Sequence, residues 1–386
     1  MGRALGDLPG KLLRDAGKGY TLLFLSPLSK HVVDSFIEVA VAEKAPVAFA
    51  ASLNQVDLDG GYTGWTPSAF AEYVRLRLAE VAGENYPLIL QLDHGGPWFK
   101  DKHIEKSYSY EEAVEDFLKS LEGFLRAGFQ ILHIDATIDL NNPSRNAEPE
   151  VAASRTAGLI THAEHLAAEI GVYVLYEVGS DRWGYKPPES YEGFLSTLVH
   201  ELKARGIDPS KVVFSAAHVG TEVRPGNRVD RSALESFVSL MSARGLKLKV
   251  HSGDYLENPE LLPEVGVGGV NIGPMFAHVM YSSIVKTLST SKLDPVEAQR
   301  YIQHFNELII SSDRLSKYTR EGIEEYKLGL ASRYAWSKLE TREFVRRVSQ
   351  ILGQDLNALL KQRLKEVMRT YLYKLNLNGL VEKLGK

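Results

Sequence analysis

The chain has no cysteine among its 386 residues. That excludes a disulfide framework and any thiolate metal site, so a metal bound here has to rest on His, Asp or Glu. An excess of positive charge is also missing: 45 Lys and Arg against 49 Asp and Glu leave a formal net charge of −4. No basic stripe precedes the C-terminal helices, so no nucleic-acid partner is expected. Long apolar runs are absent too. The longest early one, residues 22–28, falls far short of the ~20 residues that a bilayer-crossing helix needs. The first seven residues carry no basic region followed by an apolar core. Neither a secretory leader nor a membrane partner is expected, and the cytoplasm is the expected location. The segment Leu25-Ser26-Pro27-Leu28 is not the glycine-rich turn that follows the first strand of a dinucleotide-binding open sheet.

What is present is a repeated pattern. From residue 20 a short apolar run is followed by a polar loop, an amphipathic helix and then Gly or Pro before the next run. The runs predict strands near 20–26, 46–52, 87–94, 129–137, 172–178, 211–218, 246–251 and 267–272. Helical periodicity fills 29–43, 67–81, 110–127, 149–170, 191–204 and 231–243. Pro67 suits a first helical turn, and Gly128, Gly171, Gly206 and Gly245 suit left-handed C-caps. Eight strands in strict alternation over ~250 residues predict a (β/α)8 TIM barrel. After residue 289 only helical patterns remain, at 295–312, 320–335, 341–352 and 356–375, with Lys and Arg interspersed. The expected organisation is a barrel over 1–290 and an all-helical extension over 291–386, acting as a cap or a homo-oligomer contact.

In such a barrel the C-terminal strand ends converge on one pocket. The ends predicted here carry Asn54 and Gln55, Asp93 and His94, His133, Asp135 and Asp139, Glu177, His218, His251 and Asp254, and Asn271. A lone strand-end histidine is ordinarily a hydrogen-bonded structural residue, but His94, His218 and His251 at one rim, with Glu177, make a ligand set suited to Zn²⁺. His162, His165 and His200 sit on helices that face away from the mouth. Asp93, beside a ligand rather than one itself, is the expected proton carrier. Asp135 and Asn271 are candidates for holding sugar hydroxyls. The turns Ser252-Gly253 and Gly273-Pro274 offer backbone N–H groups to an anion or serve only as chain reversals. Lys249 shares a strand face with His251 and would be the amine of a Schiff-base mechanism instead.

The order Leu92-Asp93-His94-Gly95, Ile134-Asp135-Ala136-Thr137, Val250-His251-Ser252-Gly253 and Val270-Asn271-Ile272-Gly273 resembles the motif order of class II, metal-dependent ketose-bisphosphate aldolases. Asn54-Gln55-Val56, Gly60-Gly61-Tyr62-Thr63-Gly64, Thr66-Pro67 and His251-Ser252-Gly253-Asp254-Tyr255 look closer still to the GatZ/KbaZ-type tagatose-bisphosphate aldolase subunits. Arg333-Tyr334-Ala335-Trp336 is similar to a late Arg-Tyr-Tyr-Trp in that group. The resemblance implies a divalent metal on His94, His218 and His251, with Glu177 as an alternate or outer ligand. Asp93, Asp135 and Glu177 would be the catalytic carboxylates. Asn54, Gln55, Ser252, Gly253, Asn271, Gly273 and Arg333 would hold the substrate. It implies reversible aldol cleavage of a ketose phosphate of tagatose or fructose type. A ketose 4-epimerase using the same residues, or a non-catalytic subunit stabilising a partner aldolase, are the alternatives. Two departures fall on the phosphate-holding loops, at 251–255 and 271–274, where Asp254 adds a negative charge.

Overall fold

The computed structural model describes residues 7–139, 145–183, 188–312 and 325–385. Its strands are β1 (Leu22–Leu25), β2 (Val47–Ser52), β3 (Leu88–Gly95), β4 (Ile131–Ile134), β5 (Leu175–Ser180), β6 (Val212–Ala217), β7 (Lys247–Val250) and β8 (Gly269–Ile272). All pair in parallel with their sequence neighbours, and β1 closes on β8 in the register Leu22↔Gly269 to Leu25↔Ile272. The expected TIM barrel is therefore present. Each strand is a nearly continuous buried run, because one face meets the barrel interior and the other meets the helical shell. Inside, Phe24, Phe214, Gln91, Glu177 and Lys249 fill the space below the mouth. A Cβ on Gly269 would stand 3.2 Å from both Lys249 and Phe24, so glycine at that position leaves room for the lysine stem.

The helices are α1 (Asp7–Asp15), α2 (Lys30–Ala42), α3 (Pro67–Ala82), α4 (Asp101–Glu105), α5 (Tyr110–Arg126), α6 (Pro149–Ile170), α7 (Glu192–Ala204), α8 (Arg231–Ser242), α9 (Leu261–Val265) and α10 (Pro274–Ser289). The extension adds α11 (Pro295–Ile310), α12 (Glu325–Ala331), α13 (Leu339–Leu352), α14 (Leu356–Lys374) and α15 (Leu380–Leu384). Local chemistry sets several starts. Ser29 and Thr66 accept N–H groups of the first turns of α2 and α3, Pro67 opens α3, and Ser109 with Glu112 forms a capping box on α5. Gly128, Gly171, Gly206 and Gly245 all take positive φ after their helices, as expected. Helix α10 was not anticipated. The first five residues of the helix expected at 320–335 lie outside the described residues.

The extension is built onto the barrel. On α14, Leu360, Leu364, Met368 and Leu372 are fully buried in the same apolar cluster as the barrel strands. Lys361 reaches Asp34 on α2 at 3.0 Å, and Thr21 N–H donates to the Leu375 carbonyl at 3.1 Å. No helix among the described residues is long and apolar enough to cross a membrane. Leu364→Ala is expected to remove about 2–5 kcal/mol. Urea unfolding should show one transition at a lower midpoint, because barrel and extension share one core; two separate transitions would contradict this.

Candidate active site

The mouth of the barrel is shaped by a defect in β3. Its register with β4 shifts between Leu92 and Gly95, and His94 adopts φ 46 within that bulge. A bulge re-aims a side chain that regular alternation would place elsewhere. The two glycines that follow let the strand exit press onto β4, since a Cβ on Gly96 would lie 1.8 Å from the Asp135 carbonyl oxygen. His94 thereby meets Asp135, with Nδ1 and Oδ2 2.9 Å apart. Across the mouth His251 Nε2 is 2.7 Å from Glu177 Oε1. Carboxylates only accept here, so both of these ring nitrogens are donors.

That assignment leaves His94 Nε2 and His251 Nδ1 as lone-pair nitrogens, and they face each other at 3.1 Å. Two lone pairs at that separation require a positive charge between them. Without a metal the charge is a proton: burial opposes it, but Asp93 and Asp135 push the His94 ring up to about 10. A divalent cation satisfies the same pair, and the donor set suits one. Asp93, His94, His133 and His251 offer ligand atoms that all lie within 4.8 Å of one another. Asp181 adds a carboxylate oxygen 3.9 Å from His94 Nε2 and 4.0 Å from His251 Nδ1. His133 is already committed, its Nε2 to the Gly179 carbonyl at 2.9 Å and its Nδ1 to the His94 N–H at 3.2 Å.

Asp93 lines a cavity of about 430 Å³ above this cluster. Burial disfavours its charge, yet His94 foremost, with His133 and His251, holds its carboxyl well below the usual carboxylate range. Its Oδ1 accepts from Asn271 Nδ2 at 3.0 Å. The other end of that amide, Asn271 Oδ1, is buried with no partner among the described residues, and it borders the cavity. An orphan acceptor beside an ionised carboxylate is a place for a hydroxyl donor.

Several expected residues take other places. His218 stands outside the four-residue group, with its Nδ1 accepting the Gly220 N–H at 3.1 Å. Glu177 is wholly buried behind His251, and its second oxygen is held by Lys249 at 2.7 Å and by Gln91, so it orients the His251 ring. Asp135 supports His94 in the same way and does not border the cavity. Lys249 lies below the cluster in its ion pair and is not among the cavity-lining residues, which removes the Schiff-base geometry. Gly253 and Gly273 do not offer their N–H groups to an anion: the first donates to the Asn271 carbonyl at 2.9 Å and the second to Asp254 at 3.2 Å. Asn54 borders the cavity but spends its amide on Phe99 and Asp101. Gln55, Ser252, Asn271 and Arg333 border it. Arg333 arrives from the Ser332–Tyr334 turn of the extension.

Asp181 and the role of His133 were missed. Strand β5 runs to Ser180, two residues beyond its expected end, so Asp181 continues the inward alternation of Glu177 and Gly179.

A profile of the D-tagatose-1,6-bisphosphate aldolase subunit GatZ/KbaZ-like family matches residues 14–182. The chain is 25% identical over 314 residues to the D-tagatose-1,6-bisphosphate aldolase subunit GatZ of Escherichia coli O1:K1, covering 75% of this chain and 73% of that one. It is 27% identical over 286 residues to the D-tagatose 6-phosphate 4-epimerase of Agrobacterium fabrum, covering 68% and 65% of the two chains. The crystal structure of a probable tagatose 6 phosphate kinase from Sinorhizobium meliloti 1021 superposes with a TM-score of 0.73 at 20% identity, over 92% of this chain and all of that one. That likeness is one of fold.

Elemental analysis of purified protein should find a tightly held divalent ion that His94→Ala and His251→Ala each lose, while circular dichroism stays unchanged. A metal-free wild type would remove the site. A second expectation concerns Asp254, whose carboxyl is pushed up to about 6 by burial, against the pull of the Met275 and Gly273 N–H groups. Its unfolded value is ~3.9. Because the folded value is the higher, its contribution to stability is complete below about pH 4 and is lost as pH rises through about 6. The urea midpoint of wild type relative to Asp254→Asn should fall across that window; a constant difference would contradict it.

Proposed function

We propose that this chain, which matches the GatZ/KbaZ-like family of D-tagatose-1,6-bisphosphate aldolase subunits over residues 14–182, cleaves the C3–C4 bond of a ketose or ketose phosphate by a reversible, metal-dependent aldol reaction. The observation that carries the reading is the pair of facing imidazole nitrogens beside the ionised Asp93. His94 and His251 would hold the ion, most simply Zn²⁺, with the Asp181 carboxylate oxygen about 4 Å from both nitrogens. A divalent ion there would supply Lewis acidity toward the ketose carbonyl oxygen as negative charge develops on it.

The remaining work falls to the chain. Asp93 takes the proton of the C4 hydroxyl, and the O–H electron pair becomes the aldehyde carbonyl as the C3–C4 bond breaks. The pair released from that bond passes to C3 and the C2 carbonyl. Asn271 fixes Asp93 through its amide N–H and presents Oδ1 to a substrate hydroxyl. Asp135 and Glu177 keep each imidazole in the tautomer that turns its lone pair inward. Transfer of that proton from Asp93 to C3 completes cleavage and restores the carboxylate. If the aldehyde instead turns over and re-adds, C4 is inverted, and the same residues perform epimerisation. The Agrobacterium fabrum 4-epimerase, at 27% identity, favours keeping this second reading.

Incubation with fructose 6-phosphate, tagatose 6-phosphate and the bisphosphates distinguishes the outcomes. Free trioses support the lyase, and a C4 epimer without trioses supports the epimerase. An inert, metal-free chain that activates a co-expressed aldolase would replace both with a stabilising subunit. Asp93→Asn should retain the ion and lower kcat by about 10²–10⁴-fold, the usual contribution of a positioned proton carrier. Unchanged turnover would reassign the base.

A further inference from the structure

We propose that Asp254 selects the substrate class: its carboxylate occupies the place where an anion would bind beyond β7 and β8, so the chain takes ketoses with a free hydroxymethyl group at that end and rejects bisphosphates. The inference rests on the ketose reading above and narrows it.

The first turn of the helix after β8 is the part of such a barrel best suited to a phosphate, because its N–H groups are unpaired and the helix dipole favours negative charge. Here none of those groups is left over. Gly273 and Met275 both donate to Asp254 Oδ1, at 3.2 and 2.7 Å. Pro274 has no N–H, and Phe276 donates to the Gly273 carbonyl at 3.0 Å. Gly273 has no side chain to cap the helix, so Asp254 supplies the cap from the neighbouring loop. Three N–H groups of the β7 loop are committed too: Gly253 N–H goes to the Asn271 carbonyl, Tyr255 N–H to Met275 Sδ and Leu256 N–H to Tyr371 Oη. No room remains for a larger group, since even a Cβ on Gly273 would approach Ser26 Oγ to 2.6 Å.

Charge points the same way. Asp254 is 1% exposed, and it borders the cavity together with Asp93 and Asp181. Against these three carboxylates, Arg333 is the one Lys or Arg among the described residues lining the cavity. A ketose bisphosphate would bring two phosphates to a cavity with one guanidinium, and one of them would face Asp254. A hydroxymethyl group, being a neutral donor, instead suits the Asp254 carboxylate.

The test compares kcat/KM for a ketose 6-phosphate and its 1,6-bisphosphate in wild type, Asp254→Gly and Asp254→Asn. Wild type should favour the monophosphate by roughly 100-fold, a size set by the cost of juxtaposed like charges. Asp254→Gly, which frees both N–H groups, should reduce that preference by about tenfold or more, and Asp254→Asn by less, since it keeps the accepting oxygen and loses only charge. Inorganic phosphate titrated calorimetrically at matched metal content gives a readout that needs no turnover. It should bind saturably to Asp254→Gly and not to wild type. Equal use of both substrates by wild type overturns the proposal, as does an unaltered preference in both variants with no gain of phosphate binding. If no ketose is turned over, the reading of the reaction fails, and the phosphate titration still decides the role of Asp254. Should the glycine variant not fold, the asparagine variant carries the comparison.

Discussion

A fully buried ion pair, Lys249 with Glu177, underlies everything at the mouth of this barrel. Two charges withdrawn from water are costly unless their remaining hydrogen-bonding capacity is met. Here it is met on every side: the Lys249 ammonium also reaches Gln91 Oε1 and sits 4.0 Å from the Phe24 ring centre, while Glu177 accepts from Gln91 and His251. Glu177 is thus held charged and in one orientation, burial notwithstanding. From it the order is transmitted upward, to the His251 tautomer and to the lone pair facing His94. Replacing the pair by apolar residues of equal volume could leave the barrel standing, but the imidazole above would lose its direction. The pair belongs to specificity more than to stability.

The barrel was legible because its strands are unbroken apolar runs closed by Gly, Pro or a polar residue, which is what burial on both faces demands. Asp93 and His94 were legible for the converse reason, as polar side chains at the end of such a run. Orientation was not. Whether a rim imidazole turns inward depends on which carboxylate or N–H lies beside it, and the Gly220 N–H that engages His218 is a matter of loop shape. Asp254 was readable as a misplaced negative charge, whereas its partners at Gly273 and Met275 come from another strand–helix junction. Asp181 escaped because the apolar signal of β5 fades before its hydrogen bonding does. Helix α10 escaped because it is apolar on most sides, as befits a helix covered by both the barrel and the extension.

The pattern of commitments around the cavity separates two kinds of polar residue. Asn54, Gly253 and Gly273 border or approach it with their hydrogen bonds already made, so they hold loops in place. Asn271 Oδ1, the Asp93 carboxylate and the facing imidazole nitrogens have capacity that the described chain does not use. The proposed chemistry rests on the second kind. Proximity to a pocket, without that accounting, would have assigned both.

One contact reaches beyond the site. Tyr371, on α14, accepts the Leu256 N–H and donates to the Gly253 carbonyl, clasping the loop that carries Ser252 and Asp254. One turn further along, just past the end of α14, the Leu375 carbonyl accepts the N–H of Thr21, ahead of β1. One turn of chain thus grips the Ser252–Asp254 loop through Tyr371 and the start of β1 through Leu375. Linkage is reciprocal, so a contact that steadies the last turn of α14 steadies the Ser252–Asp254 loop that it clasps, and the converse holds.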